Sequence, residues 1–113
     1  MARRAPAVEF LWWEGCPSTD RALAILREEM SAHGLDPDSV VLREVHTDAD
    51  ADREDFVGSP TIRIDGRDVE APGDEPVGLT CRVYRLRDGR ISPVPDRDAL
   101  RETLEQAIDG GND

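Results

Sequence analysis

The sequence predicts one α/β domain: a central four-stranded mixed sheet with flanking helices, in the order β-α-β-α-β-β-α. Three observations predict it. An aromatic-rich apolar run at residues 8–13 leads directly into a segment with helical apolar spacing. Thr61-Ile62-Arg63-Ile64 is followed by Asp65-Gly66, the strongest short hairpin signal. A last helical pattern starts at Pro95-Asp96 and carries Leu100, Leu104, Ala107 and Ile108 on one face. A βαβ unit, a hairpin and a terminal helix bury their apolar faces only by packing helices on a sheet.

Taken in order, residues 1–7 read as a polar, disordered lead-in and residues 8–109 as the single domain. Val8 to Trp13 is the first strand, broken by Glu14-Gly15-Cys16-Pro17. From Ser18 to about Ala32, the residues Ala22, Leu23, Ile25, Leu26 and Met30 recur at helical spacing, and Gly34 and Pro37 stop the helix. Ser39 to Val45 is a second strand with Val40, Val41, Leu42 and Val45 apolar. Thr47 to Asp55 suits one or two helical turns with Asp48 as N-cap. After the third strand, Arg67 to Glu70 is the return strand of the hairpin. Residues 71–80 are a loop by composition, and Cys81 to Leu86 suits either a strand or a helical turn. Asp88-Gly89 turns the chain, Asp96 caps the last helix, and Gly110-Gly111 closes it.

Net charge is −11, which argues against a nucleic-acid partner, because phosphate binding needs a basic face. All fourteen basic residues are arginine, a pattern that coding bias in a GC-rich genome explains. No apolar run approaches the roughly 18 residues of a membrane span; the longest is Phe10 to Trp13. Neither a membrane partner nor a secretory leader is expected, and a cytoplasmic location follows. Two cysteines 65 residues apart are too sparse for a disulfide-stapled scaffold, so each is either an inert core residue or a reactive thiol.

The chemistry concentrates in two motifs. In Trp12-Trp13-Glu14-Gly15-Cys16-Pro17-Ser18-Thr19 a cysteine sits where a strand gives way to a helix. First-turn N–H groups and the positive end of the helix dipole stabilise a thiolate there. Pro17 suits the first turn, where its missing N–H costs nothing. Thr19 is placed to donate a hydrogen bond to the Cys16 sulfur. Glu14 and Asp20 oppose the thiolate and Arg21 offsets them, so the two effects compete at Cys16. The second motif, Gly58-Ser59-Pro60-Thr61-Ile62, puts a proline at the start of a strand, a special position.

With these motifs in this order, the chain resembles the thioredoxin superfamily from about Val8 to Ile108. More closely, it resembles small bacterial thioredoxin-like proteins with a Trp-x-x-Cys-Pro-Ser turn. Some of those carry selenocysteine at the cysteine position, and some are labelled alkylmercury lyases by loose similarity. The resemblance implies a thioredoxin-like fold, an attacking thiol at Cys16 and a cis peptide at Ser59-Pro60. It also implies a substrate groove shaped by Trp13, Pro17, Ser18, Ser59, Pro60 and Thr61. The chain departs from the family's Cys-x-x-Cys at Thr19, so no dithiol cycle can run within the turn. Some relatives with one turn cysteine act through a mixed disulfide with a small thiol.

Cys81 is the other thiol. It either resolves Cys16, provided the loop 71–80 brings the two Cα atoms within about 7 Å, or is a buried small hydrophobe in an alternating segment. Trp12 and Trp13 point to opposite faces, so one is expected in the core and the other partly exposed. His33 and His46 read as solvated surface residues. Asp48, Asp50, Asp52 and Asp55 lack the glycine and terminal glutamate of a calcium loop and read as a solvated face. The resulting expectation is a thiol-dependent oxidoreductase acting on a small-molecule thiol, disulfide or peroxide, or on a protein thiol. No cofactor and no metal are expected. Two alternatives stand beside it: a non-enzymatic thioredoxin-like binding module, and a soft-metal or organomercurial site of two thiolates.

Overall fold

A computed structural model describes residues 5–110 of the chain. The elements are β1 (Val8–Trp12), α1 (Thr19–Ala32), β2 (Val41–Glu44), α2 (Asp48–Glu54), β3 (Thr61–Ile64), β4 (Arg67–Asp68), β5 (Tyr84–Arg85), β6 (Ile91–Ser92) and α3 (Arg97–Gly110). A 3-10 turn at Pro37–Ser39 precedes β2. The expected mixed α/β architecture is present, with a four-stranded sheet in the order β2-β1-β3-β4. Strand β1 is parallel to β2 and antiparallel to β3, and β3 is antiparallel to β4.

The alternation of β1 divides the interior into two cores. Val8 and Phe10 join Ile62 and Ile64 of β3 on one face, closed by Ala22, Leu26 and Met30 of α1 and by Leu100 and Leu104 of α3. Leu11 points to the other face and packs with Val45, Ala51 and Phe56. Helices α1 and α3 are further clamped by Glu29. This buried carboxylate accepts from Arg97 Nη1 and Arg101 Nε, both at 3.1 Å. Burial pushes the Glu29 carboxyl up, but the two guanidiniums outweigh it and hold it below the usual carboxylate range.

Several sequence expectations are corrected locally. Val41 and Leu42, two of the four apolar residues read in the second strand, are half exposed because β2 is an edge strand; Val40 and Val45 at its ends are the buried ones. The cap of α2 is Thr47, whose extended backbone lets Oγ1 accept from the Asp50 N–H at 3.0 Å; Asp48 is already helical. The Cys81–Leu86 segment holds a short strand, and an unanticipated second strand, β6, pairs with it across the Asp88-Gly89 turn. His33 is not a solvated surface residue. It ends α1 with Nδ1 2.7 Å from the Glu29 carbonyl and Nε2 3.2 Å from Glu105 of α3. Residues 1–4 of the expected lead-in and Gly111 of the expected helix stop lie outside the described residues. Ala7, the last of the lead-in, exchanges two hydrogen bonds with Asp65 in the β3–β4 turn. Among the described residues no helix is long and apolar enough to cross a membrane.

Candidate functional site

Cys16 lies between the end of β1 and the start of α1. Its N–H donates to the Trp13 carbonyl, which closes the turn, and Pro17 and Ser18 carry the chain into the helix. Gly15 is needed here because Trp13 folds back over the turn: a Cβ at Gly15 would lie 2.5 Å from the Trp13 ring. Trp12 and Trp13 are both half-buried, Trp12 against the larger core and Trp13 against the smaller. The expected division into one core and one partly exposed tryptophan is thus replaced by one for each core. Cys16 itself is buried at 5% exposure.

Ser59-Pro60 is cis, as the resemblance implied. Its surroundings tie three distant segments together. The Ser59 hydroxyl accepts from the Trp13 N–H at 3.0 Å, which joins this segment to the cysteine turn. The Ser59 N–H donates to the Thr80 carbonyl and the Ser59 carbonyl accepts from the Arg82 N–H, both at 2.8 Å. Cys81 is therefore the bridge partner of Ser59, and it forms a disulfide with Cys16 at a Cα–Cα distance of 5.6 Å. The close approach depends on Gly58. Its φ is +137°, and a Cβ there would lie 2.9 Å from Arg82 Cβ and 3.0 Å from Arg82 backbone atoms.

The reading of Cys81 as a buried hydrophobe is corrected by the direction of this segment. Arg82 and Tyr84 point inward, and Cys81 and Val83 are exposed. The inward guanidinium is 4.5 Å from the Tyr84 ring centroid, within cation–π range. It also donates to Asp68 Oδ2 at 2.9 Å, to the Glu70 carbonyl and to Thr61 Oγ1. The buried Tyr84 hydroxyl donates to the Pro60 carbonyl, and burial raises its pKa strongly. Sequence reasoning missed both Arg82 and Tyr84. The only signal was the alternation of the segment, and a charged residue in an alternating strand reads as outward.

The remaining site residues fall into two groups. Thr19 donates to the Cys16 carbonyl at 3.2 Å, where the sequence suggested the sulfur as acceptor. Ser59 and Thr61 are fully buried with their hydroxyls engaged; Thr61 donates to the Gly58 carbonyl at 2.7 Å. Ser18 occupies the N-cap position of α1 but makes no side-chain capping bond. Two clefts flank the disulfide and share Pro17 as a wall. The first, of about 420 Å³, is lined by Phe10, Trp12, Cys16, Leu23 and Leu42, with Glu14 and Asp20 also in its wall. The second, of about 460 Å³, is lined by Pro17, Ser18, Arg21, Cys81 and Pro93. Arg21, expected to offset the acids beside Cys16, thus lines the Cys81 cleft. Among the described residues no group of three or more His, Cys, Asp or Glu is placed to hold a metal ion.

Compared with known proteins, the chain matches no family model and no curated sequence.

Proposed function

We propose that this protein is a thioredoxin-like thiol–disulfide oxidoreductase in which Cys16 is the attacking thiol and Cys81 resolves it. The observation that carries the reading is the Cys16–Cys81 pairing across the cis Ser59-Pro60 segment. The resolving thiol, missing from the turn itself, is supplied from a distant segment held by Ser59. The β2-β1-β3-β4 sheet with α1 directly behind the cysteine turn supports the thioredoxin-like fold.

In the reduced protein, the Cys16 thiolate attacks one sulfur of a substrate disulfide and the first substrate thiolate leaves. The Cys81 thiolate then attacks Cys16 Sγ in the mixed disulfide, the second substrate thiolate leaves, and the protein is left as the Cys16–Cys81 disulfide. Two electrons pass from protein to substrate. The N-terminus of α1 favours the attacking thiolate. The apolar wall of Trp12, Leu23 and Leu42 beside Cys16 suits an apolar disulfide, and Glu14 and Asp20 disfavour an anionic one.

The test is turnover of small disulfides by the dithiol-reduced chain, compared with Cys16→Ser and Cys81→Ser. The expected result is no turnover in Cys16→Ser and a trapped mixed disulfide on Cys16 in Cys81→Ser. Unchanged turnover in Cys16→Ser would sink the proposal.

A further inference from the structure

We infer that the oxidised protein is recharged through Cys81 rather than Cys16, by a small thiol that carries a carboxylate on an apolar body and docks in the Arg21 cleft. The inference rests on the redox reading above and adds the polarity of its reductive half-reaction and the class of its reductant. Three independent features of the disulfide point the same way.

Access is the first. An incoming thiolate must reach the sulfur it attacks, and the two sulfurs are not equivalent: Cys16 is buried at 5% exposure, whereas Cys81 is exposed. Charge is the second. The Cys16 cleft contains Glu14 and Asp20, which repel a thiolate. The Cys81 cleft contains Arg21, which is exposed and makes no ion pair or hydrogen bond with another described residue, so its charge is available to a ligand. The third is the leaving group. Attack on Cys81 expels Cys16 as thiolate beside the N-terminus of α1, where Ser18 supplies no capping oxygen and the first-turn N–H groups have no side-chain acceptor. Attack on Cys16 would instead expel Cys81, which has no helix N-terminus behind it.

The first thiolate forms a mixed disulfide with Cys81 as the Cys16–Cys81 bond breaks and Cys16 leaves as thiolate. A second thiolate attacks the thiol-derived sulfur of that mixed disulfide and releases Cys81 as thiolate and the symmetrical disulfide of the reductant. Two electrons enter the protein, and the protons of the two thiols pass to solvent or to the released cysteines. Pro17 and Pro93 give the cleft its apolar walls, with Arg21 as its cation. Substrate reduction and reductant entry would then use the two clefts on either side of Pro17.

The oxidised chain, mixed with 3-mercaptopropionate and quenched within milliseconds by acid and then by alkylation, reports the polarity by peptide mass spectrometry. The expected product carries mercaptopropionate on Cys81 and the alkyl group on Cys16; the reverse labelling overturns the inference. Rates per thiolate are then compared for 3-mercaptopropionate and cysteamine. The ratio in favour of the anion should fall by about 1.5-fold to fivefold in Arg21→Gln, as for the loss of one surface ion pair. An unchanged ratio removes the carboxylate from the proposal. Labelling at Cys81 in a protein that reduces no disulfide would retain the polarity and remove the oxidoreductase reading, so the two fail separately.

Discussion

The Tyr84 hydroxyl donates to the carbonyl of Pro60, 24 residues away, under the guanidinium of Arg82. This bond ties the cis-proline segment to the same 81–86 segment that carries Cys81. Ser59 reaches Thr80 and Arg82 from the same segment, so one short stretch carries both the disulfide and its support.

Tyr84→Phe removes only the hydroxyl and leaves the buried Pro60 carbonyl without that donor. The expected loss is about 1–3 kcal/mol of unfolding free energy, read from urea unfolding of the oxidised protein. Turnover should fall more than stability alone explains, because the Pro60 segment also positions Cys81.

Gly58→Ala places a methyl group against the Arg82 backbone at a φ that favours glycine. The strain costs on the order of 1–3 kcal/mol. The segment carrying Cys81 must also shift away from Ser59. Reoxidation of the reduced variant should therefore form the Cys16–Cys81 bond more slowly than wild type, as measured by alkylation kinetics. Wild-type reoxidation kinetics in this variant would show that the 58–82 approach does not position the thiols.

Reduction of the disulfide opens a loop of 65 residues. On the chain-entropy account this lowers stability by about 4 kcal/mol. Thermal melts with and without a reductant, and of Cys81→Ser, measure it. If reduction leaves the melting temperature unchanged, the bond does not constrain the unfolded chain in this way.

The α1–α3 contact carries two pH dependences of opposite sign. The hydrogen bond to the Glu29 carbonyl, aided by Glu105, holds His33 above its ordinary value against the effect of burial. Its contribution is therefore complete below about pH 6.5 and is lost as pH rises through the raised folded value. Burial would raise Glu29, but Arg101 and Arg97 bring it below its ordinary value. Its contribution is complete above about pH 4.5 and is lost as pH falls through the folded value. His33→Gln should flatten the alkaline limb of the stability profile and leave the acid limb in place, and Glu29→Gln the reverse. A profile unchanged by both variants would separate the contact from the pH dependence.

Much of this protein is legible in its local sequence. An aromatic-rich apolar run located β1, the run before the Asp65-Gly66 hairpin signal located β3, and a period of about 3.6 located α1 and α3, because each of these signals is imposed by the local backbone. The turn at Asp65-Gly66 and the cap at Asp96, whose carboxylate accepts from the Asp98 and Ala99 N–H groups, rest on contacts a few residues long and were legible for the same reason. The placement of Cys16 before a helix belongs to this class. The exposure of Val41 and Leu42 does not, because it depends on β2 lying at an edge of the sheet. Nor does the inward turn of Arg82, which is tolerable only because Asp68 and Glu70 arrive from another segment to meet it beside Tyr84. The same holds for Cys81. Its partner was fixed by the two backbone hydrogen bonds Ser59 makes across the 58–82 approach, and a pairing set by contact between distant segments leaves no rhythm in either one.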